Sequence, residues 1–163
     1  MDYFELYGLP QAPVVDRSIV AKKYFELQKE SHPDFFTQDT EAEMEGALER
    51  SAAINKAFNI FQSPEKTIEY FLQQKGVIEV DEKYSLPPDF LMEMMEINES
   101  MEEGDLTTVK KNVEEYQQEL FSSISPVLDS YDPLSTDASG LLKLKEYYYK
   151  KKYLQRILDR LTD

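Results

Sequence analysis

The residues of this chain that invite chemistry are few. Its one histidine stands in the triplet His32-Pro33-Asp34. An imidazole beside a carboxylate can move a proton, but an enzyme also needs a nucleophile and an orienting group, or a metal cage. The chain has no cysteine, which removes thiolate nucleophiles, disulfides and thiolate metal sites together. A single histidine is too few for an ordinary zinc or iron site, and no glycine-rich phosphate loop is present. Glutamate pairs such as Glu102-Glu103 read by default as a solvated face. Neither an intrinsic enzymatic activity nor a cofactor or metal is expected. As bare letters the triplet is a helix-ending turn with an exposed histidine, and average residue usage yields it about once per hundred chains of this length.

A second constellation is apolar. It runs Phe90-Leu91-Met92-Glu93-Met94-Met95-Glu96-Ile97-Asn98-Glu99-Ser100-Met101-Glu102-Glu103. On a helix at roughly 100° per residue, Phe90, Met94, Ile97 and Met101 fall within about 60° of one another, an ordinary core stripe. Leu91, Met92 and Met95 lie on a separate arc, with Glu96, Glu99 and Glu103 within or beside it. A helix facing one core has no need of this second set. Either the helix is central and covered on both sides, or the set is an exposed patch rimmed by carboxylates. Rim carboxylates weigh against full burial, and methionine suits adaptable binding surfaces.

The elements that must carry these residues read as all-α. Apolar residues recur at three and four, with five glycines and almost no β-branched alternation. A short first helix is expected near Tyr3–Leu6, broken by Gly8 and Pro10. Asp16 is an N-cap for a second helix to about Glu30, with Val20, Tyr24, Leu27 and Ser31 on one face and Lys22, Glu26 and Lys29 on the other. Pro33 ends it. Thr40 and Glu43 make a capping box for a third helix whose buried stripe is Ala47, Ser51, Ile54, Phe58 and Phe61. Ser63-Pro64 restarts a short helix carrying Ile68, Phe71 and Leu72 to Gly76. Residues 76–88, with Pro87-Pro88 and little periodicity, read as a linker. Three helical stretches follow: Asp89–Glu103, Leu106–Leu128 and Ala138–Leu161.

The chain has 163 residues, 41% hydrophobic and 31% charged, with a net charge of −14. It reads as a soluble globular protein with no apolar run near the roughly 18 residues of a membrane span. The opening Met1-Asp2-Tyr3-Phe4-Glu5 has neither a basic region nor an apolar core, so no secretory or transit segment is expected and the expected location is cytoplasmic. Phosphate backbones repel so acidic a chain, which makes nucleic acid a poor partner. Charge is uneven. Glu79 to Glu119 holds 13 acids and three bases, and Lys143 to Arg160 seven bases and two acids. Segments of opposite sign suggest helices that lie against each other, or faces offered to different partners.

Context raises the first triplet above chance. It stands in the loop between two helices of a length to pack antiparallel. Lys22, Lys23 and Lys29 precede it on solvent-facing positions. Ile54-Asn55-Lys56-Ala57-Phe58 and Ser63-Pro64-Glu65-Lys66 follow it. From the first residue to about Lys75 the arrangement resembles the J-domain. In that family the His-Pro-Asp loop and the basic face of the preceding helix dock onto a DnaK-class chaperone and accelerate its ATP hydrolysis. The resemblance therefore assigns chaperone docking to His32, Pro33, Asp34, Lys22, Lys23 and Lys29. Without the loop beside them, the lysines are a plain solvated face.

A wider resemblance covers nearly the whole chain. Met1-Asp2-Tyr3-Phe4, the Leu6-Tyr7-Gly8-Leu9-Pro10 turn and Phe90-Leu91-Met92-Glu93 together look like the HscB family, more loosely from Leu106 onward. The resemblance implies a J-domain over 1–75, a linker over 76–88 and a three-helix bundle over 89–163 that holds an iron–sulfur scaffold protein of the IscU kind for an HscA-class chaperone. The scaffold-binding positions carry over as Leu91, Met92, Met95, Glu96, Glu99 and Glu103. A further aromatic contact maps near Tyr147, ambiguous with Tyr148 and Tyr149, and helical spacing equally puts Tyr147 on a core stripe with Leu144 and Leu154. The cysteine-rich extension of eukaryotic relatives is not found, so no metal role of that extension is expected; nor are the Gly/Phe-rich linker and zinc module of general J-proteins, which argues for a dedicated client. The alternative is a J-protein of the same chaperone-activating role with a different client.

Overall fold

A computed structural model of the chain describes residues 2–32, 34, 40–135 and 137–162. Among them are seven helices and no strand. They divide into two compact units, Met1–Gln74 and Lys75–Asp163.

The first unit holds α1 (Tyr3–Leu6), α2 (Arg17–Ser31), α3 (Glu41–Phe61) and α4 (Pro64–Gln74). Its starts are capped where the sequence places polar oxygens. The Asp16 carboxylate accepts from the Ser18 and Ile19 amides, the Thr40 hydroxyl from the Glu43 amide, and the Ser63 hydroxyl from the Lys66 amide. Each satisfies an amide that a helix start leaves without a partner.

Contacts between α2 and α3 run in opposite numerical order, so the two helices are antiparallel. Tyr24 meets Phe58 at a ring separation of 4.3 Å, Gln28 meets Ser51, and Ser31 meets Arg50. Phe4, Val20, Ile54, Phe61 and Phe71 are fully buried. The Tyr7 hydroxyl donates to the Ile54 carbonyl at 2.7 Å, which ties the short first helix to α3, and burial pushes that phenol well above the ordinary tyrosine range. In the buried stripe of α3, Ala57 takes the innermost place expected of Phe58, whose ring is only half-buried. The larger side chain turns toward Tyr24 instead.

The second unit holds α5 (Pro88–Glu102), α6 (Leu106–Asp129) and α7 (Ser139–Thr162). Gly104, at φ +88°, makes the left-handed turn between α5 and α6, a conformation that favours glycine. Asp105 then caps α6 through the Thr108 amide. Phe90, Met94, Val109, Val113, Leu154 and Ile157 form one buried cluster drawn from all three helices. The Phe90 ring packs in T-shaped fashion with Tyr116 and Tyr153, and the Lys150 ammonium sits 5.5 Å from its centre.

Residues 76–88 have no helix before Pro88, and they belong to the second unit. Ile78 is buried. The Glu82 carboxylate pairs with Lys145 at 2.8 Å, and the Tyr84 ring stacks on Tyr149 at 4.5 Å. This segment is a strap along α7. Periodicity did not reveal it because its anchors are side chains on an irregular backbone. The Glu82–Lys145 pair also joins the acidic and basic segments of the sequence.

Candidate functional site

The first group of site residues sits where α2 ends. His32 is the C-cap residue, with extended backbone and its amide donating to the Gln28 carbonyl. The Asp34 amide donates to His32 Nδ1 at 3.2 Å, and an Asp34 carboxylate oxygen lies 3.5 Å from the same nitrogen. Both side chains stay accessible, at 47% and 85%. Pro33 lies outside the described residues.

Below the loop, α2 and α3 are pinned by polar contacts. The Tyr24 hydroxyl and the Gln28 amide both donate to the Asn55 side-chain oxygen, at 3.0 and 2.9 Å. The Ser51 hydroxyl donates to the Gln28 side-chain oxygen at 3.1 Å. Arg50 Nε donates to the Ser31 hydroxyl at 2.9 Å. Two helices joined by four hydrogen bonds at three levels hold the ends of their loop in one place, the preorganisation that recognition benefits from. The sequence singled out Asn55 only as part of a motif. Pairing across helices has no local signal that would have given it Tyr24 and Gln28 as partners.

Of the lysines, Lys22 and Lys29 are exposed. Lys23 departs from the expected solvent-facing position. It is half-buried, and its Nζ lies 3.7 Å from where a side chain on Gly8 would begin. Phe25, which sequence reasoning passed over, is 70% exposed. It falls three residues after Lys22 and four before Lys29, so all three share a face. That spacing was the available signal, an aromatic interrupting a solvated stripe.

The second group is on α5. Phe90 and Met94 are buried at 2% and 1%, whereas Leu91, Met92 and Met95 are exposed at 40%, 66% and 61%. Glu96, Glu99 and Glu103 are exposed beside them. Spacings of three and four place Leu91, Met92, Met95, Glu96 and Glu99 on one side of the helix. The structure thus brings together an apolar patch with a carboxylate rim. Glu93 is drawn off toward Tyr116, whose hydroxyl it accepts from; burial and that carboxylate raise the Tyr116 phenol well above its ordinary range.

Tyr147 does not join this surface. It is buried at 3% with Leu144, Leu154 and Ile157, so its side chain serves the bundle interior. Its neighbours Tyr148 and Tyr149 are half-buried. The Tyr149 hydroxyl is engaged by Glu82, and its pKa is pushed up to about 12, first by burial and then by that carboxylate. Among the described residues no group of three or more His, Cys, Asp or Glu is placed to hold a metal ion, and no helix is long and apolar enough to cross a membrane.

Two all-α units, one a helical hairpin bearing the His-Pro-Asp loop and the other a three-helix bundle with an acid-rimmed apolar face, define a class of helical co-chaperone. Residues 86–162 match the family model described as the HSCB C-terminal oligomerisation domain. A co-chaperone protein HscB homologue of Shewanella halifaxensis is 32% identical over 171 residues, covering 99% of this chain and 95% of the relative. A second, from Vibrio cholerae, is 31% identical and covers 99% of each. The crystal structure of human co-chaperone protein HscB superposes with a TM-score of 0.80 at 27% identity, over 99% of this chain and 81% of the human one. The chaperone HscB structure from Vibrio cholerae gives a TM-score of 0.62 at 30% identity, over 99% of both chains. The chain belongs to the HscB co-chaperone family, with the J-domain and C-terminal helical bundle of that family.

Proposed function

We propose that this chain brings an iron–sulfur scaffold protein of the IscU kind to a DnaK-class chaperone of the HscA kind, and that it stimulates the chaperone's ATPase in the cytoplasm. ATP is hydrolysed by the chaperone; this chain performs no chemistry of its own. His32, Pro33 and Asp34 at the end of α2, with Lys22, Lys29 and Lys23 behind them, form the chaperone-docking surface. Leu91, Met92 and Met95, rimmed by Glu96, Glu99 and Glu103, form the scaffold-docking surface. Tyr147 is left out of it because its ring is withdrawn into the bundle.

The observation that carries this reading is the split of α5. One side anchors the bundle core, and the other presents three large apolar side chains to water. Interface energy concentrates in such apolar anchors when a polar rim surrounds them. The lysines beside the loop supply the charge that steers association with an acidic surface.

The test uses a purified chaperone of the HscA kind and a purified scaffold. Single-turnover ATP hydrolysis is measured with this chain alone and with chain and scaffold together, and calorimetry measures scaffold binding. Stimulation by the chain and saturable binding of the scaffold are expected. A chaperone indifferent to the chain overturns the first half of the reading, and a scaffold that does not bind overturns the second.

A further inference from the structure

We propose that Met92 and Met95 form a reversible oxidation switch, in which conversion of their thioethers to sulfoxides weakens docking of the scaffold. The inference rests on reading the exposed face of α5 as the scaffold surface.

Four observations meet here. The chain has six methionines and no cysteine, so thioethers are its only sulfur. Thiols ordinarily intercept peroxide first, and this chain has none. Among the described residues Met92 and Met95 are the only exposed methionines, while Met94 between them is sealed in the core; Met44 and Met101 are half-buried, and Met101 packs against the core. Accessibility therefore selects two sites out of one Met-rich run. Those two stand three residues apart on the apolar arc, between Leu91 and the rim carboxylates Glu96 and Glu99. A neutral oxidant such as hydrogen peroxide is not repelled by that rim.

The chemistry is two-electron oxygen transfer. A sulfur lone pair attacks one peroxide oxygen, the O–O bond breaks, and the S–O bond forms. The departing hydroxide takes up the remaining proton and leaves as water. Sulfur is oxidised by two electrons and peroxide is reduced by two. The product is a polar, chiral side chain with a strong acceptor oxygen. In water that oxygen is solvated. Buried against an apolar partner, it loses its hydrogen bonds unless the partner supplies a donor. Docking is penalised while the fold is not, because neither side chain belongs to the core. Methionine sulfoxide reductases, one for each epimer, restore the thioether.

The experiment exposes the full chain to hydrogen peroxide and maps oxidation by peptide mass spectrometry. Affinity for a purified IscU-like scaffold is then measured before oxidation, after it, and after treatment with both reductases. Met92 and Met95 are expected to oxidise well ahead of Met94, affinity to fall by about tenfold or more, and the reductases to restore it. The Met92→Leu/Met95→Leu double variant keeps an apolar surface without a thioether; whatever its own starting affinity for the scaffold, that affinity is expected to be the same before and after peroxide, and a fall as large as the parent's overturns the switch. Unchanged affinity in a chain oxidised at both positions overturns the switch, as does early oxidation of Met94. If the unoxidised chain does not bind the scaffold at all, the scaffold reading itself fails, and that is seen before any peroxide is added.

Discussion

Met94 and Met95 are chain neighbours on α5 with opposite fates: the first is sealed against Val109, Val113 and Leu154, and the second stands open to solvent. One step along a helix turns a side chain by about 100°, enough to pass from core to surface. Stability and client binding should therefore separate by residue. Replacing Leu91, Met92 and Met95 together by Ala is expected to weaken scaffold binding by about 2 kcal/mol or more and leave the melting temperature nearly unchanged. Phe90→Ala is expected to cost about 3–5 kcal/mol of stability through the cavity it opens. Calorimetry and a melting curve for each variant decide it. A triple variant that binds normally but melts far lower would return the second apolar face to the core.

The loop at the end of α2 makes a different prediction. His32 and Asp34 meet through an amide hydrogen bond and a 3.5 Å carboxylate contact, and both side chains stay accessible, so they add little to the hydrophobic core. His32→Gln or Asp34→Asn should abolish stimulation of the chaperone ATPase while circular dichroism stays that of the parent. Full stimulation by either variant removes the docking role from the loop.

Much of this was legible in the chain because it is written locally. Asp16, Thr40 and Ser63 announce helix starts through hydroxyl or carboxylate oxygens that cap within three residues, and each does so in the structure. The division of α5 into two faces follows from its spacing alone. What was not legible is carried by contacts distant in sequence. The strap around Glu82 and Tyr84 depends on Lys145 and Tyr149, more than sixty residues away. Tyr147 sits in the core, as helical spacing allowed, but no period of α7 announces that Tyr149 is taken up by Glu82 and Tyr84. Lys23 leaves the solvated face with its Nζ near Gly8, fifteen residues earlier in the chain, a proximity that helical spacing does not announce.

Asn55 offers a test of how the hairpin supports its loop. Its one side-chain oxygen accepts from both Tyr24 and Gln28, and a neutral hydrogen bond contributes about 0.5–1.5 kcal/mol net. Asn55→Ala should lower stability by about 1–2 kcal/mol and reduce ATPase stimulation in proportion to loosening of the loop. Urea unfolding of the full chain gives the first quantity and single-turnover hydrolysis the second. Loss of stimulation at undiminished stability would make Asn55 a contact with the chaperone rather than a support.

Lys22 and Lys29 share an exposed face with Phe25, which separates charge from apolar contact in a rate measurement. Steering by exposed lysines is screened within a Debye length of roughly 8–10 Å at ordinary salt. Chaperone association should slow as ionic strength rises, and Lys22→Glu with Lys29→Glu should slow it further at low salt. Phe25→Ala should act mainly on dissociation, since loss of a packed contact changes the off-rate. Stopped-flow association at two salt concentrations checks both. Rates indifferent to salt and to charge reversal reduce the lysines to a solvated face.

The strap on α7 predicts a pH response with a definite sign. The Glu82 carboxyl is held below the ordinary glutamate value, chiefly by its hydrogen bond to Lys145. A depressed folded pKa stabilises the fold at pH above the unfolded value, and that contribution is lost as pH falls through the folded one. The Asp16 and Asp137 carboxyls are lowered too, chiefly by hydrogen bonds from Ser18 and Ser139, and act in the same direction. Glu82→Gln should therefore be less stable than the parent at pH 7, and the two proteins should converge in acid, below the ordinary carboxylate range. Tyr149 reports on the same contact from the alkaline side. Its phenol ionises at about 12 partly because the Glu82 charge faces it, so in the Gln variant the ultraviolet titration of that tyrosine should move down toward the ordinary value of 10.0. Denaturant midpoints at pH 7 and pH 3, with a spectrophotometric titration of each protein, measure both ends. A variant whose stability runs parallel to the parent across the whole range would show that the Glu82–Lys145 pair does not hold the strap to α7, and that Tyr84 on Tyr149 does so alone.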